Sequence, residues 1–205
     1  FVLLGISGGG FAKILSKSPL TDLKGIRLSK VWLPEGDILI QETFKTLGIT
    51  PISLPISDVF TGLQTGLIET VTVNPTSAIA FQWHSSTAYM TDTPVIYLIG
   101  LLAVQKEAFD KLKLDDQMSV RDEMTRVFKE MDTLNRADNQ SASDALKNQG
   151  IQFVHPSDDE LRLWKSLAAQ SIENMIDAGT LSRTTVNQIR LHLDEFRNKQ
   201  SSLVN

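Results

Sequence analysis

Residues 51–75 read PISLPISDVFTGLQTGLIETVTVNP and contain two predicted strands with a helix between them. Apolar and polar residues alternate over 52–55, which predicts a short strand limited by the prolines on either side. Ser57 precedes apolar residues at helical spacing, so we expect its hydroxyl to cap a helix that Gly66 ends. Residues 67–73 are β-branched and alternating, and they predict the next strand. The run is therefore typical of a strand–helix–strand unit in an α/β fold.

Asn74 follows the second of these strands directly and is a candidate ligand contact. In α/β folds, ligands bind outside the carboxyl ends of the strands. We therefore expect the Asn74 side chain to form a hydrogen bond with a polar group of a ligand.

A helix is predicted over residues 76–89, where apolar and aromatic side chains are crowded together. Gln82, Trp83 and His84 lie in this segment and are candidates to line a cleft. We name His84 as a ligand residue, with a packed, hydrogen-bonded structural histidine as the alternative.

Three longer elements are predicted on either side of these segments. Residues 38–47 form an amphipathic helix that Gly48 ends, and residues 114–146 form a long helix whose apolar stripe is not a strict heptad. The apolar run 95–104 predicts a strand that is covered on both faces. Tyr97 in this strand is a candidate cleft residue, and a core position is the alternative.

Glycines occupy positions 8–10, after a predicted strand over residues 1–6. A glycine cluster between a strand and a helix can bind phosphate. This one lacks the lysine of a P-loop and the spacing of a dinucleotide site, which favours a plain turn.

The order of several short motifs resembles that of the solute-binding subunits of tripartite ATP-independent periplasmic (TRAP) transporters, the dicarboxylate-type (DctP-like) family. Asp58-Val59 opens a helix, LQTG at 63–66 closes it, and Asn74-Pro75 follows an acidic strand. Asp22-Leu-Lys-Gly25 upstream and the segment 142–151 downstream match the same family.

The resemblance covers residues from about 10 to about 165 and implies a fold. That fold is α/β, a periplasmic binding protein type II-like architecture of two lobes with mixed sheets, hinge strands and a long helix that spans both lobes. Residues 1–98 and 141–205 would form the second, C-terminal lobe. Residues 99–140 would return through the first lobe and include part of the long helix. The resemblance also implies that the chain is N-terminally incomplete and that its first lobe is only partly present.

The same resemblance implies a function outside the cytoplasm, in the periplasm. Such a protein captures a small organic solute, an organic acid or a related polar metabolite, in the cleft between its lobes. It then delivers the solute to the TRAP membrane subunits for secondary uptake, with no cofactor and no enzymatic activity. Two alternatives stay open: an α/β enzyme with a dispersed active site, and a ligand-binding receptor for a sensor.

In many relatives an arginine near the strand at residues 30–33 binds the ligand carboxylate through two parallel hydrogen bonds. One alignment puts Trp32 at this position and treats residues 26–29 as an insertion. The other puts Ser29 there and leaves Arg27 offset. Because neither alignment provides the arginine, the resemblance puts a carboxylate ligand in question.

We prefer the first alignment and name Trp32 as a stacking contact for the ligand. An indole offers a flat apolar face and one N–H donor in place of a charged guanidinium. A core aromatic is the alternative. Glu35 lies close by and is a candidate to bind a polar or cationic group of the ligand, with a solvated charge at a helix start as the alternative.

Composition excludes several other classes of function. The net charge of −4 gives no reason to expect nucleic acid as a partner. Cysteine is absent, so the chain has no disulfide, thiolate nucleophile or sulfur-based metal site. The histidine spacing suggests no metal, no catalytic motif is present, and no apolar run approaches the roughly 20 residues that span a bilayer. We therefore expect neither metal nor catalysis, and no membrane-spanning segment.

Overall fold

Two long antiparallel strands form the centre of the fold, in a computed structural model that describes residues 1–203 and the side chains up to residue 199. The first of them is β1 (Val2–Ser16) and the other is β5 (Tyr89–Val104). The shorter strands are β2 (Trp32–Pro34), β3 (Ile52–Leu54), β4 (Thr70–Val73) and β6 (Gln152–Val154). The helices are α1 (Leu23–Leu28), α2 (Ile38–Leu47), α3 (Val59–Thr65), α4 (Pro75–Ala80), α5 (Lys106–Phe109), α6 (Leu114–Asn148), α7 (Asp158–Asp177) and α8 (Arg183–Leu203).

The strands form a mixed sheet, as the family resemblance implies. Its order is β4-β1-β5-β6, with β1 antiparallel to β4 and β5 and with β5 parallel to β6. Strands β2 and β3 pair in parallel, and a bridge between Val31 and Thr70 connects them to β4. Together with the helices on its faces, this sheet gives the α/β architecture expected from the resemblance.

The two faces of the sheet are covered by two separate hydrophobic clusters. Side chains alternate along β1, so that Leu15 and Ile14 lie on opposite faces. Leu15 packs in one cluster with residues such as Leu63 and Leu146. Ile14 packs in the other cluster with Ile26 and other residues, and Trp164 of α7 packs against this cluster. Strands, α3 and α6 thus build one half of the core, and α1, α2 and α7 build the other.

Local sequence patterns predicted the ends of several helices correctly. Helix α2 covers Ile38–Leu47 as predicted, and the long helix α6 extends only two residues beyond its predicted end. Gly66 ends α3 in the left-handed conformation, at φ 74°. The predicted Ser57 cap is wrong, because the Ser57 hydroxyl donates to the Asp58 carboxylate and α3 begins one residue later.

The glycine cluster at 8–10 is not a turn. Strand β1 continues through it, and a register shift between Gly8 and Gly10 makes Gly9 an extra residue, a β-bulge. Gly10 has φ 90°, and an added Cβ there would lie 2.6 Å from the Asn139 Nδ2 atom. Glycine is needed here because the backbone is left-handed and α6 approaches closely.

The predicted helix over 76–89 is wrong in its second half. Helix α4 ends at Ala80, Gln82 adopts a left-handed conformation, and a 3-10 turn covers Trp83–Ser86. Strand β5 then begins at Tyr89, six residues before the predicted strand. Pairing with β1 and β6 stabilises an extended backbone that local helical spacing did not indicate.

At the carboxyl end, α8 is joined to α7 by ion pairs. Arg183 and Arg190 both contact Glu173, at 3.0 Å each. Arg190 and then Arg183 lower the pKa of the Glu173 carboxyl. Within residues 1–203, no helix combines the length and apolar character that crossing a membrane requires.

Candidate ligand-binding site

A cavity of about 790 Å³ lies between one face of the sheet and helices α2 and α7, and we call it the sheet cavity. Pockets for small molecules typically enclose about 300–1,000 Å³. Strands β1, β4 and β5 contribute side chains to it that include Ala12, Ile14, Thr70, Thr72, Ile96 and Leu98. Helices α2 and α7 contribute side chains that include Ile40, Phe44, Leu47, Trp164, Ala168 and Ile172. This cavity is therefore large enough for a small solute, and its lining residues lie within 12–98 and 161–172.

All three tryptophans of the chain line the sheet cavity. Trp32 and Trp83 meet edge to face, with ring centroids 5.3 Å apart and an interplanar angle of 76°. Phe81 lies beside Trp83 at 5.1 Å. Together with Trp164 of α7, these rings give the cavity an aromatic wall.

Trp32 is both a core residue and a cavity residue. Its side chain is only 7% exposed and packs in the cluster of α3 and α6. The indole N–H donates to the Leu54 carbonyl at 2.9 Å, which ties β2 to β3. The single donor of the indole is thus used within the chain.

Asn74 is held by the backbone at both ends of its amide. Its Oδ1 accepts from the Ser77 backbone N–H at 2.8 Å and so caps α4. Its Nδ2 donates to the Gly9 carbonyl at 2.6 Å. Asn74 follows β4 as predicted, is 6% exposed and does not line the sheet cavity.

His84 and Glu35 also lie outside the lining of the sheet cavity. The Nδ1 atom of the half-buried His84 is 3.0 Å from the Ala78 carbonyl, so this nitrogen carries the proton in that contact. Glu35 is exposed after β2 and has no ion pair or hydrogen bond within the described part of the chain.

Tyr97 lies on the other side of β5 from the sheet cavity. Ile96 and Leu98 line the cavity, and side chains alternate along a strand. The Tyr97 ring packs edge to face on Phe11 at 4.9 Å, and its hydroxyl lies over Gly8. Of the residues named as ligand contacts or cleft residues, the structure puts Trp32 and Trp83 in the cavity wall, and Asn74, His84, Glu35, Tyr97 and Gln82 outside it.

The sequence pattern did not indicate that Trp164, Phe81 or the residues of α2 and α7 line a cavity. Trp164 belongs to the apolar stripe of α7, and such a stripe does not indicate whether it faces a core or a cavity. Trp83 was among the cleft candidates and does line the cavity, but its neighbours Gln82 and His84 do not.

The charged groups of the cavity wall are Asp37 and Lys165. The Asp37 carboxylate accepts from the Ile40 N–H at 2.9 Å and caps α2. The ammonium group of Lys165 on α7 makes no hydrogen bond or ion pair with any residue whose side chain is described. Within the same residues, no group of three or more histidine, aspartate and glutamate side chains is arranged to hold a metal ion.

A polar seam joins the Gly9 bulge to α6. The Gly9 carbonyl accepts a hydrogen bond from the Asn139 amide at 3.1 Å as well as the one from the Asn74 amide. The Gly8 N–H donates to Asp132 at 3.1 Å. This hydrogen bond and that from Arg136 lower the pKa of the Asp132 carboxyl. Asn74 thus links the end of β4 to the bulge, and Asn139 links the bulge to the long helix.

Residues 1–178 match the family described as bacterial extracellular solute-binding protein, family 7. Solved structures with a similar fold come from the same kind of protein. A TRAP periplasmic solute-binding protein from Haemophilus influenzae RdAW, with bound L-gulonate, is 19% identical and has a TM-score of 0.85. The match covers 92% of this chain and 62% of that one.

Two further solved structures are similar. A TRAP periplasmic solute-binding protein from Desulfovibrio salexigens, with bound orotic acid, is 14% identical, with a TM-score of 0.81 over 96% of this chain and 62% of that one. The periplasmic ectoine-binding protein of the TeaABC TRAP transporter of Halomonas elongata is 20% identical, with a TM-score of 0.80 over 86% and 57%. This chain therefore spans less than two thirds of the length of these structures.

Proposed function

We propose that this chain, which belongs to family 7 of the bacterial extracellular solute-binding proteins, captures a small organic solute and delivers it to the membrane subunits of a TRAP transporter. The observation that carries the proposal is the sheet cavity, because it provides a solute-sized space beside the sheet. L-gulonate, orotic acid and ectoine, named with the similar structures, are small organic solutes and support this class. The proposed location is the periplasm.

In this proposal the protein binds its solute without changing it chemically. Residues 1–98 and 141–205 form one lobe in this proposal, and residues 99–140 belong to a returning segment of the other; residues 204 and 205 lie outside the described part. The strands β1 and β5 cross between the two lobes in this proposal and act as the hinge, and the bulge at Gly9 interrupts their regular pairing. A solute drives closure only if it binds the closed arrangement more tightly.

Trp32 is the proposed ligand contact that the cavity supports most directly. Asn74, His84, Glu35 and Tyr97 stay predictions for ligand binding. The backbone contacts of Asn74 and His84 leave each of them with fewer free hydrogen-bonding groups.

A thermal-shift screen tests the proposed function. The full-length protein is heated with organic acids, neutral polyols and cationic osmolytes. A solute at about a hundred times its dissociation constant stabilises the folded state by about 2.7 kcal/mol. For a chain of this size the midpoint should rise by roughly 5–10 °C.

Transport is tested separately in proteoliposomes that contain TRAP membrane subunits. We expect uptake of the stabilising solute to require this protein. Conversion of the solute into a product would favour an enzyme instead, and binding without uptake would favour a sensor receptor.

A further inference from the structure

We infer that the sheet cavity takes an uncharged, largely apolar solute with an aromatic or alicyclic ring, in preference to a dicarboxylate. The inference rests on the proposed function, because it names the solute class for the same site. It follows from the charges, the polar groups and the rings of the cavity wall.

The charges of the wall do not suit a dicarboxylate. One lysine and one aspartate line the sheet cavity, so a solute with two carboxylates would meet a single cation and one like charge. A carboxylate that moves from water into the cavity without a cation beside it loses most of its hydration free energy, and no other interaction replaces that loss. An uncharged solute avoids that cost.

No guanidinium in the described residues lines the cavity to replace the missing cation. Arg27 is the arginine on α1, beside the cavity residue Ile26. Its Nε donates to the Leu47 carbonyl at 2.7 Å, and its guanidinium lies against Gly48. Arg27 therefore caps the carboxyl end of α2 and is held outside the lining.

The polar groups of the wall are hydroxyls, and several are already bonded. Thr43 and Ser171 contact each other at 3.0 Å, and Thr70 contacts Ser29 at 2.6 Å. The hydroxyls of Thr72, Ser77 and Thr93 have no hydrogen-bond partner among the residues whose side chains are described. These three can each form a hydrogen bond with an amide, a hydroxyl or a carbonyl of a neutral solute.

The remaining wall favours a ring. Trp32, Trp83, Trp164 and Phe81 present aromatic surface, and the aliphatic side chains of β5 and α2 complete the apolar lining. Rings pack against such side chains in edge-to-face or offset arrangements that add to the gain from burial.

Benzamide, benzoate and phthalate test the inference, because they share one ring and carry no, one and two carboxylates. The chain has three tryptophans, all in the cavity wall, so its three indole N–H signals in a ¹H–¹⁵N spectrum report occupancy. We expect benzamide at millimolar concentration to shift these signals, and phthalate to bind at least about tenfold more weakly. Tighter binding of phthalate, or no response to benzamide, would overturn the inference.

A pair of variants on α7 locates the binding. Ala168 lines the cavity, whereas its neighbour Ala169 does not, and both are exposed. We expect Ala168→Phe to weaken benzamide binding by about tenfold, since the new ring occupies the cavity, and Ala169→Phe to leave it unchanged. Thermal midpoints of both variants show whether the fold is kept. Equal binding by the two variants would overturn the assignment to this cavity.

The two proposals fail in different ways. If dicarboxylates stabilise the chain and are transported, the inferred solute class is wrong and the proposed function stands. If benzamide shifts the indole signals but no solute is carried by TRAP membrane subunits, the inferred class stands and the proposed function is wrong.

Discussion

Trp32 and Trp83 form the aromatic corner of the sheet cavity, and they differ in hydrogen bonding. Both are buried, but only Trp32 donates its indole N–H to another described residue, the Leu54 carbonyl. Trp32→Phe removes the donor of that half-buried hydrogen bond, and a hydrogen bond of this kind contributes about 0.5–1.5 kcal/mol net. We expect Trp32→Phe to lower the free energy of unfolding by about that much more than Trp83→Phe does, as measured by urea denaturation. Equal losses would show that the hydrogen bond between β2 and β3 contributes little.

Helix α6 and strand β1 are joined by the polar seam at the Gly9 bulge, and its carboxylate makes this contact pH-dependent. The Gly8 N–H and Arg136 lower the pKa of Asp132 in the folded chain. A carboxyl with a lowered pKa stabilises the fold above its ordinary pKa, near 4, and loses that contribution as the pH falls through its folded value. We expect Asp132→Asn to be less stable than the wild type at pH 7, and the gap to close below about pH 4.

Asp122→Asn is the matched control on the same helix, because the Asp122 side chain makes no hydrogen bond or ion pair with any described residue. Chemical denaturation of both variants across pH measures the effect. A stability gap for Asp132→Asn that persists unchanged at pH 3 would mean that the charge of Asp132 does not stabilise the seam.

At the scale of the whole molecule, the outer halves of β1 and β5 form a two-stranded ribbon with apolar side chains in solvent. Ile99 and Leu101 are 63% and 66% exposed, so the prediction that the strand over 95–104 is covered on both faces is wrong. Exposed apolar patches bind dyes and promote association. We expect the double variant Ile99→Lys, Leu101→Lys to bind less 8-anilinonaphthalene-1-sulfonate and to elute at a smaller apparent size, with an unchanged thermal midpoint.

Leu28→Lys on α1 is the control for added charge, since Leu28 is 79% exposed and lies away from the ribbon. Fluorescence titration and size-exclusion chromatography with light scattering compare the three proteins. If Leu28→Lys lowers dye binding as much as the ribbon variant does, general charge and not the ribbon is responsible.

Much of the fold could be predicted where the signal is local. Asp37, the apolar spacing over 38–47 and Gly48 together define α2, because caps and a left-handed stop act within one turn of the helix. The long amphipathic helix was predicted for similar reasons, whereas the mixed sheet was implied by the family resemblance. The motif order indicated the family, which the match over residues 1–178 establishes.

Tertiary structure decided what depends on distant partners. The glycines at 8–10 form a bulge inside β1 because that strand pairs with residues near 100, and residues 89–91 are extended because β1 and β6 lie on either side of them. The sequence determined that Trp164 lies on an apolar stripe of α7. Only the packing of α2 and α7 over the sheet determined that this stripe, with Trp32 and Trp83, lines a cavity. Helical periodicity specifies which side chains share a face, whereas the space opposite that face is set by elements far away in the chain.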